Sequence, residues 1–130
     1  MGHVNNAVYF TYFEQARFKH WRSLWNFGEE QFPGPGVILA RAECDYRSPA
    51  RYGEVLEVRL SVSHLGKTSF MYDYEIVSVD DGRTIATGKS VQVMFDYDKR
   101  APVPIPADIR ALLVKSRTQS TQGMHEDHKT

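Results

Sequence analysis

Hydrophobic and polar positions follow two different periods along this chain, and the change of period divides it. Between about Asn6 and Phe27, Val8, Tyr9, Tyr12, Phe13, Ala16, Trp21, Leu24 and Trp25 recur at intervals of three and four, while Gln15, Arg17, Lys19 and Arg22 take other positions. That spacing predicts a helix. Asn5 and Asn6 are suitable N-caps, because an Asn side chain accepts a hydrogen bond from a free first-turn N–H, and Gly28 suits the C-terminal end. Phe10 and Phe18 fall on other sides of the same helix, so it is expected to be wrapped over much of its girth.

The loop "GEEQFPGPG" interrupts regular structure, and the period then becomes two. "VILARAECDYR", "EVLEVRLSVSHL", "TSFMYDYEIVSV" and "RTIATGKSVQVMFDYD" are rich in Val, Ile, Tyr, Phe and Thr and alternate apolar with polar residues. They predict four strands. The links "SPARYG", "GK" and "DDG" are too short for a crossover helix, so neighbouring strands are expected to run antiparallel, as a meander. "PADIRALLVKS" predicts a short C-terminal helix with Pro106 and Asp108 near its start. The polar "RTQSTQGMHEDHKT" predicts a disordered tail, giving one domain over residues 1–115 and a tail over 116–130. One long helix and about four antiparallel strands form an α+β arrangement, a curved sheet covering one helix. The first edge of such a sheet would be bare, and a further strand ahead of Met1 would cover it.

Composition narrows the functional classes. The chain's 130 residues suit one domain, and 16 basic residues balance 16 acidic ones, so bulk charge draws it to neither nucleic acid nor an anionic membrane. Cys44 is the sole cysteine, which excludes an intrachain disulfide and any zinc site built from cysteines and fits a reducing compartment. Its reading is a small, half-buried strand residue. No apolar run reaches membrane-spanning length and the start lacks signal-peptide character, so the protein is expected to be cytoplasmic and soluble. His125 and His128 are read as an incidental exposed pair, and no metal site is expected.

Several stretches, taken in order, resemble a known family. "MGHVNNAVYFTYFEQAR", "DYRSPARYGEVLEV", "GKTSF" and "ATGKSVQVMFD" are similar to the hotdog-fold acyl-CoA thioesterases of the 4-hydroxybenzoyl-CoA thioesterase type, from Met1 to about Leu113. The resemblance implies a hotdog fold, a central helix wrapped by a five-stranded antiparallel sheet. It implies a homodimer or homotetramer with active sites between subunits, hydrolysing acyl-CoA or acyl-carrier-protein thioesters with no metal or other cofactor. The family's Asp-x-Asp-x-x-Gly turn has a glycine matching Gly2, so its catalytic aspartate would stand two residues before Met1. A chain lacking that strand and aspartate is expected to be impaired, with Met1 an internal methionine or the chain trimmed at this end.

Thioester hydrolysis needs a stabiliser for the tetrahedral oxyanion and a group that attacks or activates water. The helix start near Asn6 offers free N–H groups and a positive dipole end. The resemblance gives the Asn6 backbone N–H the task of polarising the carbonyl, with Gly2 leaving room for substrate and Asn5 beside it; otherwise Asn5 and Asn6 are ordinary caps. In another branch of the family a helix glutamate at the spacing of Glu14 is the base. Glu14 lies between Phe13 and Ala16 on a largely buried helix, and burial would suit a carboxyl to holding a proton; the alternative is a pair with Arg17. His3 is a further proton shuttle. By resemblance Lys67, Thr68 and Ser69 contact the nucleotide part of CoA, with Lys89, Lys99 and Arg100 as additions, and Tyr9, Phe13, Phe27 and Phe32 are candidates for the acyl pocket. Two other readings stand beside hydrolysis. One is a dimer that binds acyl-CoA without cleaving it; the other is a 3-hydroxyacyl thioester dehydratase, for which only His3 could serve.

Overall fold

The computed structural model describes residues 7–23, 36–117 and 122–127. Helix α1 (Ala7–Ser23) precedes strands β1 (Gly36–Tyr46), β2 (Val55–Leu65), β3 (Ser69–Ser78) and β4 (Thr84–Asp96), a short β5 (Ala101–Pro102), helix α2 (Ala107–Arg117) and β6 (Gln122–Asp127). All pairings are antiparallel in one six-stranded sheet of order β1-β4-β3-β2-β6, with β5 beside the end of β4. The α+β class and the sheet-covered helix are as expected. Asn5, Asn6, Leu24, Trp25, Phe27, Gly28, Phe32 and the rest of the "GEEQFPGPG" loop up to residue 35 lie outside the described residues, while its last glycine, Gly36, opens β1.

The inward rows follow the two-residue repeat. Leu56, Val58, Leu60 and Val62 of β2 and Phe70, Tyr72, Tyr74 and Ile76 of β3 are buried, because alternate residues of a strand share a face. Onto them α1 lays Tyr9, Tyr12, Phe13, Ala16, Arg17 and His20, the i, i+3, i+4 stripe of a helix packed on one side. Phe13 stacks on Tyr74 with ring centroids 4.4 Å apart and Trp21 on Phe70 at 5.6 Å, while His20 meets Tyr72 edge-on. Gly88 stands opposite Tyr74 in the β3–β4 ladder, and a Cβ there would run into the Phe13 ring and come within 2.7 Å of the Glu43 carbonyl oxygen. The helix therefore touches the sheet where β4 has no side chain. From α2, Ile109 and Leu113 complete the core.

Three expectations are corrected. The strands are not a simple meander, because β1 pairs with β4 rather than β2. Link length fixes direction but not adjacency: residues 47–54 could span about 26 Å when extended, against roughly 14 Å for three strand spacings. The crossing is pinned where Ile85 O accepts from both Arg47 N and Ser48 N, and Ser48 Oγ donates to Thr84 O. Second, the stretch expected to be a disordered tail supplies the end of α2 and then β6, which pairs with the outer edge of β2. A ladder is built from backbone N–H and C=O groups, so a polar sequence without proline can still satisfy an edge. β6 thus covers the outer edge of β2, whereas β1, the first strand, stands at the other end of the sheet with no partner on its outer side among the described residues. His125 falls within β6 opposite Glu57; His128 lies outside the described residues. Third, among the described residues α1 is covered on one side, and Phe10 and Phe18 are 42% and 53% exposed.

A buried polar strut joins α1, β3 and α2. His20 Nδ1 lies 2.8 Å from Tyr72 Oη, and its Nε2 lies 3.2 Å from Ser116 Oγ. Ser116 gives its one hydroxyl proton to Leu112 O, so His20 donates from Nε2 and accepts the Tyr72 hydroxyl at Nδ1. Burial pushes the imidazole pKa down to about 4 from its ordinary 6.5.

Gly88→Ala should cost about 1–3 kcal/mol by overpacking, read as a lower urea midpoint; an unchanged midpoint would show that helix and sheet tolerate separation there. Between pH 6.5 and 4 the unfolded chain binds a proton at His20 that the folded chain refuses. This contribution is therefore complete above pH 6.5 and withdrawn as the pH falls toward 4. Relative to His20→Gln, the native chain should lose ~3 kcal/mol between pH 7 and pH 4; a constant difference would remove His20 from the acid response.

Candidate active site

A cleft of about 450 Å³ opens between α1, β1 and the inner face of β3 and β4. Phe18 and Trp21 of α1, Val37 and Leu39 of β1, Phe70 of β3 and Tyr97 beyond β4 give it apolar walls, and Gly36 completes the rim beside Tyr97. A Cβ at Gly36 would meet the Tyr97 ring at 2.5 Å. Four polar side chains interrupt this surface: Glu14, Arg17, Tyr72 and Gln92. An apolar recess with a few fixed polar groups is the usual form of a small-molecule site.

The polar groups are connected. Arg17 is buried beneath the helix and hydrogen-bonds Tyr74. Tyr74 Oη lies 2.5 Å from Ser90 Oγ, and Gln92 Nε2 donates to the same Ser90 oxygen. Burial pushes both the Tyr72 and Tyr74 hydroxyls up, with the Arg17 charge opposing it, so both remain protonated donors. Gln92 Oε1 is buried and has no partner among the described residues.

The expected site residues fall into three groups. Gly2, His3, Asn5 and Asn6 lie outside the described residues. Glu14 stands on the cleft wall, but its side chain is 52% exposed and 4.0 Å from Arg17 Nη2, so the burial argued from the sequence is absent in the single chain and the pairing with Arg17 is present. Tyr9 and Phe13 are wholly in the core rather than on the cleft. The Tyr9 phenol sits with Tyr46 and the Ala50 backbone, and burial pushes it up.

Lys67 and Thr68 lie in the β2–β3 turn and Ser69 opens β3, immediately before the cleft residue Phe70. This turn is held by its carbonyls: Thr68 O accepts from Met94 N at 2.8 Å, Lys67 O from Ile105 N at 2.9 Å, and Gly66 O from the Arg110 guanidinium. The Lys67 side chain is left exposed. Lys99 and Arg100 occupy the turn that carries Tyr97, at the same end of the sheet. Lys89 is not gathered with them. It projects from the face of β4 away from α1, with Glu43 and Asp73 as its cross-strand neighbours. Cys44 is half-buried as expected, and burial and the Asp45 carboxylate push its thiol up, away from the thiolate a nucleophile needs. Among the described residues no group of three or more His, Cys, Asp and Glu could hold a metal ion, and no helix is long and apolar enough to cross a membrane.

Sequence reasoning missed Arg17 and Gln92 as cleft residues. For Arg17 a signal existed, since it follows the buried Phe13 by four and precedes the buried His20 by three.

The chain is similar to a predicted thioesterase from Bacillus stearothermophilus, at 31% identity and a TM-score of 0.77, over 91% of this chain and 86% of that one. A thioesterase from Thermus thermophilus complexed with coenzyme A and zinc is 28% identical with a TM-score of 0.75, over 91% and 84%. An acyl-acyl carrier protein thioesterase of Arabidopsis thaliana chloroplasts is 29% identical over 87% of this chain and 60% of its own length. The model of the thioesterase-like superfamily matches residues 1–113. With that match spanning both helix and sheet, the chain belongs to the thioesterase-like superfamily.

Proposed function

We propose that this chain hydrolyses an acyl-CoA thioester to the free acid and CoA, with an acyl-carrier-protein thioester as the related substrate. The observation that carries this reading is the cleft itself. It is an apolar recess bearing Glu14 on its wall, with the exposed cations Lys67, Lys99 and Arg100 at the same end of the sheet, where the phosphates of CoA would find counter-charge.

In the reaction, water adds to the thioester carbonyl as Glu14 accepts its proton. The start of α1, through the Asn6 N–H, holds the oxyanion, with Gly2 leaving room and Asn5 alongside; collapse breaks the C–S bond and the thiolate leaves with the proton. His3 is the second candidate base. Helical rise sets Glu14 about 10 Å along α1 from Ala7, its first described residue, so a site that uses both the start of α1 and Glu14 takes one from each of two chains. We therefore propose a homodimer or homotetramer. The exposed Phe10 and Phe18 on α1 and Leu39 on β1 support apolar self-association. We place the enzyme in the cytoplasm, as the lone thiol of Cys44 favours a reducing compartment.

Thiol release from acyl-CoA, followed with a thiol-trapping dye, tests the proposal. Turnover is expected, and Glu14→Gln should lower kcat about 100-fold or more. CoA binding without thiol release would replace hydrolysis by simple binding, and an enoyl thioester product would replace it by dehydration. Lys67→Ala should raise KM for acyl-CoA several-fold, roughly as loss of one uniform phosphate contact does, with no such effect on an acyl-pantetheine thioester lacking the nucleotide; an equal rise for both would remove Lys67 from the CoA site.

A further inference from the structure

A carboxylate that takes a proton from water must be held where the water is, and the Glu14 side chain, 52% exposed, has little packing to hold it. Its neighbour one turn on is fixed. Arg17 is 9% exposed and lines the same cleft, its guanidinium hydrogen-bonded to Tyr74 and 5.6 Å from the centre of the Phe18 ring, within cation–π range. Arginine has only donors, so it gives an N–H to the Tyr74 oxygen, and the Tyr74 hydroxyl proton is left for Ser90 Oγ at 2.5 Å. That oxygen also receives the Gln92 amide. The row Arg17–Tyr74–Ser90–Gln92 on the floor of the cleft thereby anchors a positive charge to β3 and β4 from below.

Among the described residues Glu14 is the one carboxylate within 4.0 Å of Arg17, with Nη2 and Oε2 4.0 Å apart. Opposite charges attract at that separation, the more so beside apolar walls, yet it is too long for a hydrogen bond. The difference bears on chemistry. A carboxylate locked in direct hydrogen bonds to a guanidinium has its lone pairs engaged, whereas at 4.0 Å they remain open to a water. An ordinary surface pair joins two mobile side chains and gains little; here one member is already immobile, so only the other has to be ordered.

We propose that Arg17 is a positioning residue, which holds the Glu14 carboxylate over the cleft while leaving its oxygens open to take the proton of the attacking water. The proposal rests on the hydrolysis reading with Glu14 as base, and makes the pairing of the two a part of catalysis rather than an alternative to it.

The test follows acyl-CoA turnover by the native chain, Glu14→Gln, Arg17→Met and the double variant. Arg17→Met should lower kcat about tenfold or more, as misplacing a reacting group does, with KM changed by less than about twofold. Arg17→Lys, which keeps the charge, should recover part of the loss. In the Glu14→Gln background the same Arg17→Met change should alter kcat by less than about twofold, because effects that pass through one group do not add. If Arg17→Met does not fold, Arg17→Lys is compared across the two backgrounds in the same way. An equal loss in both backgrounds, a loss carried by KM, or undiminished kcat in Arg17→Met would overturn the proposal while leaving hydrolysis standing. Absence of thiol release by the native chain would instead remove hydrolysis, and full turnover by Glu14→Gln would remove the base; in either case the positioning role goes with it.

Discussion

The close approach of Phe13 to the sheet at Gly88 is the constraint on which the rest of this molecule is arranged. A ring can lie flat on Tyr74 only because its cross-strand partner has no side chain. This contact sets the height of α1 over the sheet and brings Arg17 and His20, one and two turns further on, onto the β3 tyrosines. It also fixes the width of the cleft. Where β4 is bare the helix is in contact, and beyond Gln92, where β1 and Tyr97 flank it, the helix and sheet part enough to leave a recess.

The polar groups under the helix follow two different logics. His20, Tyr72 and Ser116 form a closed set in which each donor has an acceptor, so they tie three elements together without asking anything of a ligand. Arg17, Tyr74, Ser90 and Gln92 form an open set that ends at the cleft. Both sets draw on alternate, inward-facing strand residues. The difference arises from what completes them: α2 supplies Ser116 to the first, in which the Tyr72 hydroxyl is already given to His20, and the second ends in the recess.

How much could be read from the sequence depended on whether side chains or partners carried the information. The helix was legible because Tyr9, Tyr12, Phe13 and Ala16 repeat on one face, and β2 and β3 because Leu56, Val58, Leu60 and Val62 and then Phe70, Tyr72 and Tyr74 alternate with polar residues. In β4 the same rule misleads. Ser90 and Gln92 face the core while Val91 and Val93 face outward, so an alternation of polar and apolar residues is present with its faces reversed. The burial of Arg17 was hidden by its charge and visible only in its spacing. The neighbour of β1 and the pairing of β6 left no local mark, since a ladder is made of backbone and its partner is chosen by the rest of the sheet. Of the site, the cationic Lys67 turn and Glu14 were found by position in the chain, whereas the polar row on the floor exists only once α1 has docked.

The strand order also governs the sequence of events by which the chain reaches this state. β4 is hydrogen-bonded to β1, β3 and β5, and β1 precedes β4 by a whole hairpin, so the long loop it closes cannot form early. During synthesis β1 emerges before the other strands and must wait, its apolar Val37, Ile38 and Leu39 without a neighbouring strand, until β4 has left the ribosome. The double hydrogen bond from residues 47–48 to Ile85 O then acts as the latch that commits it. The cleft is consequently a late product of folding, absent from any intermediate in which only β2, β3 and β4 have assembled.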